Sequence, residues 1–522
     1  MDLLPGRAGA RGRRRLPDRD QLSRASLFHL RPEAGPRTAR SAPAGRPAVT
    51  THLPLIVDLD GTLLRTDTLV ENFAAAIFAR PARTAVCCLR LYEGRPAFKR
   101  RLAADVELDI EALPVREDLL EFLQHQRQTG RQVHLVTATD QRIADRIAAH
   151  FDVFDSATGT STEVNLKGAN KQAYLRERFP EGYVYAGDSR ADLKVWQDAD
   201  AIILAGASPG TTRAAGRLGK PVERSFENEA LTTRVWRKAL RLHQWAKNLL
   251  VFAPLLLSGL YYDPAAILAA ITAFFALGLV ASGTYLLNDL ADLPADRRHR
   301  SKRLRPMATG ALPVWIGMIA APALILAGLL LGLFVNLALV VALAAYLATT
   351  LSYSFGLKRK PVVDVMILAA LFTLRLLIGV AAIGAAVSFW LLSFSMFFFL
   401  SLSMAKRHVE IAAAEPGTRL NGRGYTAEDG PFSLGVGLSS GMAAIVILCL
   451  YVTEDAMPVL RYSEPGFLWV VPVVIGSWVL RIWLLAHRGE LDDDPVAFAV
   501  GDRISLALGV VLAVAFAAAS FL

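Results

Sequence analysis

The sequence predicts two architectures in one chain: an α/β domain on a doubly wound parallel sheet with a small helical cap, then an all-α polytopic membrane bundle of about nine helices. Three observations predict it. Most charge lies before about residue 240, whereas the remainder alternates long apolar runs with short charged loops, so that the 522 residues are 53% hydrophobic with a mean hydropathy of +0.35. Apolar strands before residue 190 end in carboxylates or a hydroxyl and are followed by helix-forming segments. Beyond residue 240, apolar runs of about 17 residues or more recur, each long enough to cross a bilayer.

Composition bounds the function classes. The net charge of +10 does not indicate nucleic acid, because the arginines fall in a tail and in loops between apolar runs, not on a face interleaved with aromatics. Cys87, Cys88 and Cys449 cannot build a disulfide framework, which suits a cytosolic soluble part. Residues 1–50 are rich in Arg, Pro, Ala and Gly and carry no apolar h-region, so they read as a disordered basic tail without a secretory signal.

Residues 51–230 form the first domain. "LPLIVDLDGTLL" runs from a short strand, Leu55 to Val57, into Asp58, Asp60, Gly61 and Thr62. By themselves, two aspartates around one residue are also what an Asp-Gly turn at a strand end would give. A second strand, "QVHLVTATD", reaches Thr137; Lys171 stands at the helix start in "KGANKQAYLRERF"; a third strand in "YVYAGDSRADLKVW" leads to Asp188 and Asp192. This order of motifs resembles the haloacid dehalogenase (HAD) superfamily of phosphatases, a Rossmann-like fold, over roughly 180 residues. The resemblance implies Asp58 as the nucleophile that takes a phosphoryl group, Asp60 as the acid and base, and Thr137 and Lys171 as holders of phosphate oxygens. It also implies Asp58, the Asp60 carbonyl, Asp188 and Asp192 as ligands of Mg²⁺, the cation that lets one anion attack another. Lys167, one helical turn earlier, is the alternative to Lys171. Between the first two motifs, "LVENFAAAIFARPARTAVCCLRLY" has helical periodicity and predicts the cap; the same segment would suit plain core or a membrane surface.

Residues 235–522 form the second domain, with nine spans expected near 245–261, 264–287, 314–334, 336–354, 363–384, 387–404, 434–453, 467–486 and 503–521. Basic residues gather before span one and in the loops after spans two, four ("KRK") and six ("AKRH"). The positive-inside rule then puts the first domain and every basic loop in the cytosol of a bacterial inner membrane, and the carboxyl terminus across it.

Span two runs into "NDLADLPADRRHRSKRLRP". A charged loop is the plain reading, but Asn288, Asp289, Asp292 and Asp296 recur at helical offsets along one side of an extended span, where carboxylates cost energy unless they bind something. Oxygen ligands suit Mg²⁺ on a diphosphate, and the arginines, Arg303 and Arg305 among them, suit its remaining charge. The pattern NDxxDxxxD, with "QWAKNLLVFAPLL" and "YSFGLKRKPVVDVMILAALFTLR", resembles the UbiA superfamily of intramembrane transferases, which implies a nine-helix bundle with Asp289 and Asp292 at the catalytic centre. The chain departs from that family's second motif, DxxxD. Asp364 is present as a metal-ligand candidate, but Leu368 stands where the second carboxylate would be, and Arg375 follows in the same span. Similarity is greatest to the decaprenyl-phosphate phosphoribosyltransferase branch, which implies phosphoribosyl pyrophosphate as donor and a polyprenyl phosphate as acceptor. Lys358, Arg359, Lys360 and Arg375, with Tyr353 and Lys247, are the candidates for holding the acceptor's phosphate. The HAD-like half would then remove the 5-phosphate. The alternatives are a true prenyltransferase with an aromatic acceptor and, from another class, a transporter or scaffold; a homo-oligomer is left open.

Overall fold

In a computed structural model, the chain is described over residues 52–521 except 91, 93–94, 106, 162–164, 416, 419, 421–422, 459–461 and 492–494; the expected basic tail lies outside the described residues. Six strands, β1 (Leu55–Val57), β2 (Val133–Asp140), β3 (Ser156–Thr160), β4 (Val184–Gly187), β5 (Ala201–Ala205) and β6 (Val222–Phe226), form one sheet in the order β3-β2-β1-β4-β5-β6. Every neighbouring pair is parallel. The order reverses between β1 and β4, and ligands of such sheets bind at the carboxyl ends beside that reversal. Val57 pairs with Leu135 on one side and Ala186 on the other, so Asp58 emerges there, between the two flanking strands.

β1 is apolar at every position because both faces are covered. Leu55 and Val57 pack with Leu119, Leu123 and Ile143 on one face, and Ile56 packs with Leu175, Tyr185 and Trp196 on the other.

Between β1 and β2 the chain first forms three cap helices, α1 (Thr68–Ala79), α2 (Pro81–Leu89) and α3 (Arg95–Asp105), and then a fourth helix, Glu117–Gln128, that covers the sheet. Asp67 caps α1, its carboxylate accepting from the Leu69 and Val70 backbone N–H groups. The Ala-rich α1 is apolar on two sides: Ala76 meets Cys87 and Leu102 within the cap, whereas Val70, Ala74 and Phe78 pack on Leu286, Leu290, Leu293 and Met307 of the membrane half. Phe78 also stacks on Phe355 at 5.9 Å between ring centroids.

Among the described residues, eight helices are long and apolar enough to cross a membrane: Pro264–Ala291, Val314–Leu333, Leu337–Phe355, Val363–Ile383, Phe389–Ala412, Ala427–Ala456, Pro465–His487 and Arg503–Phe521. These are spans two to nine. Span one departs from expectation, forming a 3₁₀ run, Leu242–Phe252, and a short α-helix, Ala253–Leu257. It nevertheless packs along span two from Ser282 to Ala270. The Ser282 hydroxyl donates to the Leu240 carbonyl at 2.9 Å, the Trp245 indole fills the space over Gly278, Phe252 meets Phe274 and Leu255 packs on Ala270. A 3₁₀ helix advances about 2 Å per residue, so this run and the short helix cover roughly the 30 Å of a hydrocarbon core.

The two halves are fastened at the end of the bundle that carries the charged loops. Arg297, just past span two, is paired with Glu71 of α1 at 2.6 Å, both side chains buried, and Glu71 also accepts from the Thr66 hydroxyl at 2.6 Å. Gly310, between spans two and three, lies against Arg65 at φ +77°, where a Cβ would stand 2.8 Å from the Arg65 Cβ and 2.9 Å from its carbonyl oxygen. Gly310→Ala combines left-handed strain with that collision and should cost about 2 kcal/mol. A clear fall in the melting temperature of the detergent-purified chain is expected, and a melt that superimposes on wild type would refute this account of the junction.

Candidate active sites

The first site lies at the carboxyl ends of β1, β2 and β4. Asp58 accepts from the Leu59 N–H at 2.8 Å and is paired with Lys171 at 2.9 Å. Lys171 sits in the first turn of the Ala169–Arg178 helix and also donates to the Tyr185 hydroxyl at 2.8 Å. Lys167 lines the same cavity but is exposed. Asp188 and Asp192 complete a group with Asp58 whose carboxylate oxygens lie within 4.8 Å of one another. Asp192 is fixed by the Tyr185 hydroxyl at 3.1 Å and by the Ser189 N–H and hydroxyl at 2.9 and 2.8 Å.

Crowding of buried carboxylates sets the electrostatics. Burial, then the neighbouring Asp192 and Asp58, push Asp188 up to about 8. Burial also raises Asp58, against the pull of Lys171. Asp60 is pushed up to about 7 by burial and Asp67, although the Thr139 hydroxyl at 2.6 Å and the Thr68 N–H at 2.7 Å bind its charged form. A group of oxygen donors with surplus negative charge fits a hard divalent cation. Gly61, at φ +76°, lets the loop pass Asp188, whose carboxylate a Cβ would strike at 2.3 Å.

Thr137 is fully buried, its hydroxyl accepting from the Thr139 N–H at 3.1 Å, and Thr139 is the threonine that faces Asp60. A period-two strand carries both residues to one face, which could have marked Thr139 in the sequence.

The second site lies at the same end of the bundle as the fastened domain. Span two ends at Ala291, and Pro294 restarts a short helix, Leu293–Arg298, so the acidic motif turns a corner and does not extend one helix as expected. Asp289 and Asp296 nonetheless share one side, as their spacing predicts, because one Arg305 nitrogen touches both, at 3.0 Å from Asp289. Arg241 also pairs with Asp289, and Asp292 faces Lys358 at 3.1 Å. Asn288 is half-buried beside them, whereas Arg303, Arg359 and Lys360 point outward, exposed.

Asp364, expected among the metal ligands, is engaged otherwise. Its fully buried carboxylate is met by Arg407 at 2.8 Å, Arg423 at 3.5 Å and the Tyr425 hydroxyl at 2.9 Å. Two guanidiniums face it, as Arg241 and Arg305 face Asp289. Tyr353 belongs to this cluster, accepting from Arg423 at 3.3 Å, and Arg407 and Arg423 also reach Glu410.

Arg375, expected beside the "KRK" loop, lies three turns deeper in span five. It bonds the Leu371 carbonyl, Asn248 and the Tyr346 hydroxyl at 2.6, 3.3 and 3.2 Å, and Lys247 stands over the neighbouring Phe372 ring. Helical rise separates it from Asp364 by about 16 Å along the axis.

Residues 249–506 match the model of the UbiA prenyltransferase family, and residues 55–197 that of haloacid dehalogenase-like hydrolases. The protein y4nM of Sinorhizobium fredii is 42% identical over 466 residues, 89% of this chain and 90% of that protein. The chain belongs to the UbiA prenyltransferase family, with a HAD-like domain on its amino-terminal side. The decaprenyl-phosphate phosphoribosyltransferase of Mycolicibacterium smegmatis is 39% identical over 182 residues, 34% of this chain and 57% of that protein. A UbiA homolog from Archaeoglobus fulgidus bound to DMAPP and Mg²⁺ aligns with a TM-score of 0.43 at 16% identity, covering 55% of this chain and 99% of that one.

The UbiA domain thus uses residues that the sequence presented only as topology signals. Arg241 sits in the basic run before span one and Arg407 in "AKRH", yet both point back into carboxylates. Their signal was position: each precedes or ends a span at the level of an acidic motif.

Proposed function

We propose that the UbiA domain moves a 5-phosphoribosyl group from phosphoribosyl pyrophosphate to a polyprenyl phosphate, and that the HAD-like domain then removes the 5-phosphate, leaving polyprenyl-phosphoribose. The salt-bridged state of Asp364 carries the first half. A prenyl diphosphate would need a second set of metal-binding carboxylates there, and Leu368 supplies none beside Asp364. Arg407 and Arg423 at the same place suit an acceptor that is itself a phosphate and can take over their charge from Asp364. Similarity to a decaprenyl-phosphate phosphoribosyltransferase supports the same substrates.

In the transfer, the ribose C1–O bond to pyrophosphate breaks, its electron pair leaves with pyrophosphate, and an oxygen of the lipid phosphate bonds to C1. The acceptor is already an anion, so no strong base is required. Asp58, Asp188 and Asp192, whose carboxylates converge, would hold Mg²⁺ in the HAD-like domain. Asp289, Asp292 and Asp296 would do so in the UbiA domain once Arg241, Arg305 and Lys358 turn to the pyrophosphate, and the bound ion neutralises charge on the phosphates. Until then Arg241 and Arg305 orient Asp289 and Asp296.

In the second step, Asp58 attacks the 5-phosphate and forms an aspartyl phosphate, while Asp60 gives its proton to the departing ribose oxygen. A group pushed up to about 7 can hold that proton near neutrality and afterwards take one from the water that frees phosphate. Both sites lie at the end of the bundle that carries the basic loops, and the positive-inside rule supports reading that end as the cytosolic face of a bacterial inner membrane.

Mass spectrometry of lipid made by the purified chain from Mg²⁺, polyprenyl phosphate and phosphoribosyl pyrophosphate tests both reactions. A product heavier by ribose alone is expected. Consumption of geranyl diphosphate in place of phosphoribosyl pyrophosphate would instead establish a prenyltransferase.

A further inference from the structure

The cavity above Asp58 is not closed by the HAD-like domain alone. Its volume is about 810 Å³, and its lining passes from Asp58 and Asp188 to Gly310, Pro313, Val314 and Trp315 of the UbiA domain. Val314 and Trp315 are the first two residues of span three, so the cavity reaches the level where the chain enters the membrane. Trp315 is 52% exposed there, an amphipathic ring at the depth where tryptophan favours the lipid headgroups.

Two features hold this wall in place. The buried Arg297–Glu71 pair fastens the loop after span two to α1, whose own Thr68 N–H holds Asp60, and Gly310 packs directly on Arg65. The same cavity contains positive charge beyond Lys171: Lys167, and Arg65, whose Nε is buried without a hydrogen-bond partner among the described residues. One phosphate engages the Asp58 floor.

We propose that the phosphatase site is composite, its outer wall supplied by the first turn of span three, and that this wall selects a phosphate monoester carried on the head of a membrane lipid over the same monoester free in solution. This rests on the proposed dephosphorylation and adds to it a specificity determinant, Trp315, outside the HAD-like domain. The lipid chain stays in the bilayer while the sugar phosphate enters past Trp315.

The test uses the full chain in detergent micelles with two substrates, ribose 5-phosphate and synthetic farnesyl-phosphoryl-ribose 5-phosphate. Wild type is expected to favour the lipid-linked substrate at least tenfold in kcat/KM. Trp315→Ala should erase most of that preference through KM, and Trp315→Phe should restore it. Equal kcat/KM for the two substrates in wild type, or an unchanged preference in Trp315→Ala, overturns the composite site while leaving the phosphatase reading intact. Hydrolysis of neither substrate, with wild type no better than Asp58→Asn, overturns both.

Discussion

Asp58→Asn is expected to stop phosphate release and make the chain accumulate a lipid that still carries its 5-phosphate. The variant keeps the shape of the side chain but loses the anion that attacks phosphorus, and loss of a nucleophile costs on the order of 10³-fold or more. It also removes one of three converging carboxylates and leaves Lys171 without its partner at 2.9 Å, so cation affinity should fall with the chemistry. The UbiA domain keeps its own carboxylates and arginines, so phosphoribosyl transfer should continue at a rate close to wild type. Radiolabelled phosphoribosyl pyrophosphate followed into extracted lipid reads the result directly. Lipid that appears already dephosphorylated would remove the HAD-like domain from this step.

Asp289→Asn is expected to do the reverse, abolishing transfer while hydrolysis of 4-nitrophenyl phosphate persists. Asp289 is buried and joins the two arms of the acidic corner, through Arg241 on one side and the Arg305 it shares with Asp296 on the other. Neutralising it weakens the grip on a cation that would contribute several kcal/mol to stabilising the departing pyrophosphate, which corresponds to about 10²- to 10³-fold in rate. The persisting phosphatase activity controls for folding, because the two halves share the α1 junction. Pyrophosphate release at the wild-type rate would exclude Asp289 from the reaction.

Strand ends proved highly legible in the sequence. Asp58, Lys171, Asp188 and Asp192 meet because a parallel sheet delivers the residue after each strand to one edge, and short apolar runs ending in polar residues announce that edge. Spans two to nine were legible because hydrocarbon thickness demands a long uninterrupted apolar helix. Span one was harder to read. Its apolar length was visible, but its 3₁₀ winding goes with Trp245 packing over Gly278 and the hydrogen bond from Ser282 to Leu240, contacts that no window of a few turns contains.

The charged residues of the membrane half divide along the same line. Periodicity marked Asp289, Asp292 and Asp296 as a group, and Leu368 after Asp364 marked a departure from the family's second motif. By itself the sequence determined that the chain joins a sheet-edge carboxylate site to a membrane bundle with an acidic motif at the end of one span, because strand alternation, span length and motif order are local properties. Only the tertiary structure decided which cation faces which carboxylate: Arg241 and Arg305 on Asp289, Arg407 and Arg423 on Asp364, Arg297 on Glu71 of the other domain. Long flexible side chains reach several angstroms in any direction, and their partners are fixed by helix packing and burial, which no local pattern encodes.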